Sequence, residues 1–163
     1  MKIIYACLCL LLGGTTLFAQ FDDRKGAVLV ETEYNVFGGV FGGGTGIGVL
    51  SASGSTLTSV GLDGGYFIGQ DLALLLRLGI VSADGSSLTS FGAGLKYYLL
   101  GTIPLSAEAG VLSVGGGSVF TVGLNAGYAI RLANNVALEP YAGVSIIDAD
   151  AAFQGGIRFA LFL

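Results

Sequence analysis

The 163-residue sequence contains no histidine and no tryptophan, and only 11% of its residues are charged. Its two cysteines, Cys7 and Cys9, both fall in the first twenty residues. Each shortage removes a class of chemistry. Without histidine there is no Ser–His–acid triad, no imidazole general base and no imidazole metal ligand. Past residue 20 there is no thiolate nucleophile, thiolate metal site or disulfide. No GxSxG elbow occurs, and the six basic residues after Lys2 are scattered, which argues against a nucleic-acid partner. Long hydrophobic runs are missing too. A membrane helix needs about 20 consecutive apolar residues, and beyond the N-terminus Gly, Ser, Asp or Glu interrupts every run before that length.

What is present is apolar nonetheless. Hydrophobic residues make up 53% of the chain, its mean hydropathy is +0.79, and there are 29 glycines with two prolines. Val, Thr, Tyr and Phe are frequent, as in strands. A hydrophobic chain that cannot build membrane helices has one remaining way to span a bilayer, a closed β-barrel.

The N-terminus follows other rules. "MKIIYACLCLLLGGTTLFAQ" has one basic residue, an apolar stretch from Ile3 to Leu12, and small or neutral residues before Ala19. This is the layout of a secretory signal peptide over residues 1–19, cleaved after Ala19 or Gln20, with a barrel domain over 20–163. About ten apolar residues are too few for a membrane anchor. "IYAC" resembles a lipidation site, but only six residues precede Cys7. The mature chain carries eleven acids against six bases, a net charge of −5.

Tyr66, Tyr97, Tyr128 and Phe159 recur every 31 residues. Around them "GYFIGQDLAL" (65–74), "KYYLLGTIPLSAEAG" (96–110) and "GYAIRLANNVALEPYAG" (127–143) each read as strand, aromatic, short turn, strand. The segments between, 82–90, 113–120 and 147–153, are small and polar and read as hairpin loops. Eight strands result, over 27–37, 55–69, 72–82, 88–99, 105–114, 119–130, 136–147 and 153–163. Each has the about 9–11 residues that a tilted membrane strand requires. The fold class is therefore all-β, an eight-stranded antiparallel up-and-down transmembrane barrel. Residues 38–54 either extend the first strand around a glycine kink or form the longest loop.

Successive strand side chains face opposite sides. Leu72, Leu74, Leu76, Leu78 and Ile80 share one face, with Ala73, Leu75, Arg77 and Gly79 on the other. Strands 119–130 and 136–147 repeat the pattern, with Asn125, Glu139 and Tyr141 on the second face. That face has too few charges for a solvated exterior, so the apolar one meets lipid and the polar one fills the lumen. Arg77 then points inward, opposite Asp63 if the turn centres near residue 70. The same construction about residue 102 sets Lys96 opposite Glu108. Arg158 lies beside the first strand, whose inward residues include Glu31, Glu33 and Asn35. With Glu139, these charges form a structural lumen network. They fit a selective pore or an electrostatic plug, and eight strands leave room only for side chains, which favours the plug. Tyr66, Tyr97, Tyr128 and Phe159, just before the short turns, suit a girdle at the membrane–water boundary.

No catalytic, cofactor or metal site is expected. "GGGTGIG" (42–48) lacks the Lys-Ser/Thr of a phosphate loop, and "DADAAFQGG" (148–156) lacks the glutamate of a calcium loop. The run "GYFIGQDLALLLRLG" (65–79), its echo at 127–143, "KYYL" (96–99) and the terminal "GGIRFALFL" (155–163) resemble the small outer-membrane protein β-barrel domain family. That family is similar in architecture to the OmpA- and OmpX-type barrels. The resemblance implies insertion in the outer membrane after export, outer-membrane lipid and the outer-membrane assembly machinery as partners, a monomer, and no shared catalytic residues. Phe159, Leu161 and Leu163 alternate like the terminal signal read by that machinery, although the chain ends in leucine where an aromatic is commoner. A non-enzymatic structural or surface role follows. Its competitors are a narrow pore or conduit for small molecules, a lipid-modifying enzyme (disfavoured by the missing histidine) and an adhesin.

Overall fold

The computed structural model describes residues 24–37, 45–52, 55–83 and 86–163. Residues 1–23, with the signal-peptide segment 1–19, and the glycine-rich stretch 38–44 lie outside the described residues, as does the side chain of Asn35. Ten strands are described: β1 (Val28–Phe37), β2 (Gly46–Ala52), β3 (Ser55–Phe67), β4 (Leu72–Ala83), β5 (Ser86–Leu99), β6 (Ile103–Val114), β7 (Gly117–Gly127), β8 (Ile130–Ala133), β9 (Val136–Ile147) and β10 (Asp150–Phe162). Neighbours in sequence pair antiparallel from β3 to β7, and β7 and β8 together line one edge of β9. β10 pairs β9 and β1, and β1 returns to β3, so the sheet closes. Taking β7 with β8, and β1 with β2, as single staves gives an eight-stranded barrel.

The closing seam answers the question raised by 38–54 for the part that is described, residues 45–52. β1 pairs β3 over three positions, Val28↔Tyr66 to Val30↔Gly64, and then β2 takes over the edge of β3 from Gly46↔Gly61 to Ala52↔Ser55. Thr45 stitches the handover. Its amide donates to the Glu31 carbonyl at 2.8 Å, its hydroxyl donates to the Asp63 carbonyl at 2.7 Å, and it accepts from the Asp63 amide at 2.8 Å. Residues 46–52 are thus strand.

The hairpin segments expected over 82–90, 113–120 and 147–153 are much shorter than their composition suggests. Strands run through their polar residues, and the turns shrink to Gly115–Gly116 and Asp148–Ala149. All four of these turn residues have positive φ, the backbone that a two-residue hairpin turn needs to match strand twist. Serines and threonines at the strand ends satisfy their backbone groups by pairing, so small polar composition does not by itself end a strand.

The two faces are inverted relative to a soluble barrel. In β4, Leu74, Leu76, Leu78 and Ile80 are 42–51% exposed, whereas Ala73, Leu75 and Arg77 are buried. The same inversion runs around the wall, with Leu62, Leu95, Phe120, Leu124, Ile146 and Ile157 facing out. This is the arrangement of a membrane barrel. The buried apolar side chains gather at the end where the described chain begins at Arg24 and ends at Leu163: Leu29, Phe67, Leu75, Tyr98, Ala129, Ala137, Ala160 and Phe162. There the Val28 amide bonds the Leu163 carbonyl and the Leu163 amide bonds the Val28 carbonyl, at 2.8 and 2.9 Å.

Candidate functional site: the charged lumen

Above the apolar floor the inward positions turn ionic. Glu31, Asp63, Arg77, Lys96, Glu108, Glu139 and Arg158 are all buried, and the Glu33 side chain is 6% exposed. Two clusters form. In the lower one, Lys96 Nζ bridges Glu31 Oε1 and Glu139 Oε2, the latter at 2.5 Å, and the Tyr98 hydroxyl donates to Glu139 Oε1 at 2.9 Å. In the upper one, Arg77 Nε lies 2.9 Å from Glu108 Oε2 and 3.1 Å from Asp63 Oδ2, and its Nη2 is 3.3 Å from Glu33 Oε2. Arg158 Nη2 donates to the same Glu33 oxygen at 2.7 Å, and the Tyr141 hydroxyl donates to Glu33 Oε1 at 2.6 Å. Arg158 also stacks over the Tyr141 ring and reaches Glu31 at 3.8 Å, joining the clusters.

Register explains two of these meetings, Asp63 with Arg77 and Glu33 with Arg158. Asp63 faces Arg77 in the β3–β4 ladder, and Glu33 and Glu139 flank Arg158 on either side of β10. The pairing of Lys96 with Glu108 expected from the sequence does not occur. Lys96 faces Ser106, and Gly94 faces Glu108. The turn after β5 pivots on Leu100 and Gly101, both at positive φ, so the hairpin centres one residue earlier than the sequence suggests. Glu108 instead crosses the intervening strand to Arg77. Gly94 makes that path possible, because a Cβ there would come within 2.7 Å of the Glu108 Cγ. Lys96 crosses the lumen to strands with which β5 makes no ladder.

Further along, Gln154 Nε2 donates to Asn125 Oδ1 at 2.5 Å and Asn125 Nδ2 donates to Ser106 at 3.3 Å, a neutral continuation of the network. Tyr98, Tyr141, Gln154 and Asn125 carried no assigned role in the sequence reading. Their signal was available, since Tyr98 shares the inward parity of Lys96, and Tyr141 that of Glu139. Arg24 was missed as well, and no periodicity could have found it, because it precedes β1. Burial draws its guanidinium below the usual range, against the pull of Tyr98, Asp71 and Glu139.

The four spaced aromatics all lie at the terminal end. Tyr66, Tyr97 and Phe159 face outward, about half exposed, and Tyr128 is partly buried beside the break between β7 and β8. Among the described residues, no group of three or more His, Cys, Asp or Glu side chains is arranged to hold a metal ion. Chemically, the lumen pairs charge with charge, and the Tyr98 and Tyr141 hydroxyls donate to two of its carboxylates.

No protein-family model matches the sequence, and no curated protein does. Solved structures that align with the barrel include a de novo designed transmembrane β-barrel, at 16% identity and TM-score 0.49, over 85% of this chain and 97% of that one. The Yersinia pestis outer membrane protein Ail, in a phospholipid bilayer nanodisc, aligns at 8% identity and TM-score 0.48, over 85% and 100% of the two chains. KdgM porin aligns at 13% identity and TM-score 0.42, over 82% and 98%. By its own strand count, closure and inverted faces, the chain is an eight-stranded barrel of the transmembrane type, consistent with the OmpA/OmpX-like small barrels that its sequence resembles.

Proposed function

We propose that the protein is a monomeric, non-enzymatic outer-membrane β-barrel with a structural or surface role, exported and then inserted by the assembly machinery, and closed by its own side chains. The observation that carries this reading is the ionic layer. Five carboxylates and three cations, with Tyr98 and Tyr141 bonded to them, occupy the lumen from wall to wall. Eight strands enclose little more than side chains need, and an ionic layer of this density supports a lumen closed to hydrated solutes. The apolar outer face supports the lipid partner. The lack of histidine supports a role without catalysis.

Planar-bilayer recording of the purified protein separates this reading from the narrow pore. The closed barrel gives current indistinguishable from the bare bilayer at moderate voltage. A steady ohmic conductance would replace it with a pore, and five carboxylates against three cations would then make that pore cation-preferring.

A further inference from the structure

The terminal mouth of the barrel holds a cation, and the cation comes from outside the strands. Arg24 precedes β1 and joins no ladder, yet it is 3% exposed. Its guanidinium carbon stands 4.1 Å from the Tyr98 ring centroid, 5.4 Å from Phe162 and 5.9 Å from Phe67. These three rings pack on one another with centroids 5.9–6.1 Å apart, forming one aromatic floor. The guanidinium edge is met by oxygens: Nη2 donates to the Gly101 carbonyl at 2.7 Å, and Nη1 lies 3.4 Å from Asp71 Oδ1. The backbone aims the side chain. Ala27 N bonds Arg24 O at 2.9 Å in a tight turn, and Gly26 N and Ala27 O bond the Phe67 backbone at 2.9 and 3.0 Å.

We propose that this mouth is a binding site for a guanidinium-type cation, which the chain fills with its own Arg24, so that Arg24 is the stopper of the terminal end. The inference rests on the closed-lumen reading and extends it to the mouth. An aliphatic side chain would satisfy three rings as filler. A carbonyl and a carboxylate at the rim, with ring faces beneath, select a flat cation with donors at its edge. Tyr98 links the site to the ionic layer: its ring lies under Arg24 and its hydroxyl holds Glu139.

The test places a reporter thiol beside the rings, Ala137→Cys, and follows its reaction with a small water-soluble thiol reagent. The full chain is folded in phosphatidylcholine vesicles, with the parent lacking the new cysteine as background. With Arg24 present the thiol reacts slowly. Arg24→Ala raises the rate by about tenfold or more, and methylguanidinium below denaturing concentrations restores protection while urea, its neutral near-isostere, does not. Unchanged protection in Arg24→Ala, or equal rescue by urea, overturns the proposal. Should Arg24→Ala fail to fold, Arg24→Gln decides: it keeps bulk and donors without the charge, and protection equal to arginine would reduce Arg24 to filler, while faster labelling supports the cation site. Bilayer current on the same preparations keeps the two readings apart. Conduction by the wild-type barrel with Arg24-dependent protection intact would sink the closed lumen and leave the cation site standing.

Discussion

The apolar floor and the ionic layer are built from the same faces of the same strands, one step apart. Two residues along the inward face, Leu29 gives way to Glu31, Leu75 to Arg77, Tyr98 to Lys96, Ala137 to Glu139 and Ala160 to Arg158. The floor holds by contact. Its rings and methyl groups can shift a few tenths of an ångström and lose little, because dispersion and burial are not directional. The layer above holds by compensation: each buried charge is tolerable only while its counter-charge is in place. The terminal end therefore behaves like the core of a small soluble protein, and the middle of the barrel like a lock whose parts must all be present.

The largest effect should come from Lys96→Met, which keeps the stem and deletes the charge between Glu31 and Glu139. Two carboxylates are then left buried together, at a cost of about 3–5 kcal/mol, read from reversible urea unfolding in lipid vesicles. A loss of a few tenths would mean that water reaches the layer, and the contrast with the floor would collapse. Next come Leu76→Arg and Leu124→Arg on the outer face. Each should cost about 2–4 kcal/mol near the bilayer midplane, while Gly123→Ser on the lumen side should be mild in the same assay.

A change of shape in the floor should be gentler. Phe162→Leu keeps the site apolar and should cost about 1 kcal/mol, well below the loss at Lys96. The smallest effect, and the sharpest probe of the layer, is the coupling between Asp63 and Arg77. Because Glu108 and Glu33 also hold Arg77, a double-mutant cycle with Asp63→Asn and Arg77→Gln should give only about 0.5–1 kcal/mol. A coupling several times larger would make the pair exclusive and Glu108 a bystander.

Much of the barrel was legible in the chain because its rules are local. Period-two alternation separates Leu76 from Arg77 whatever lies elsewhere, and turn residues at regular spacing mark the strands. The Asp63–Arg77 register could be counted from the short turn between them. The same counting failed at Lys96 because the backbone at Leu100 and Gly101 moves the pivot by one residue, and a pivot moved by one shifts every partner by two. The polar segments 82–90, 113–120 and 147–153 read as loops because composition reports solvent, not pairing.

The sequence by itself determined the cores of eight strands, their inner and outer faces, and which charged strand residues point into the lumen, since each depends on neighbours within a hairpin. Tertiary structure alone decided who meets whom across the lumen. Lys96 joins Glu31 and Glu139, Glu108 crosses β5 to Arg77, and Arg24 seats itself on rings contributed by β3, β5 and β10. Those contacts depend on closure and stagger, which bring distant strands face to face at heights that no ladder between neighbours records.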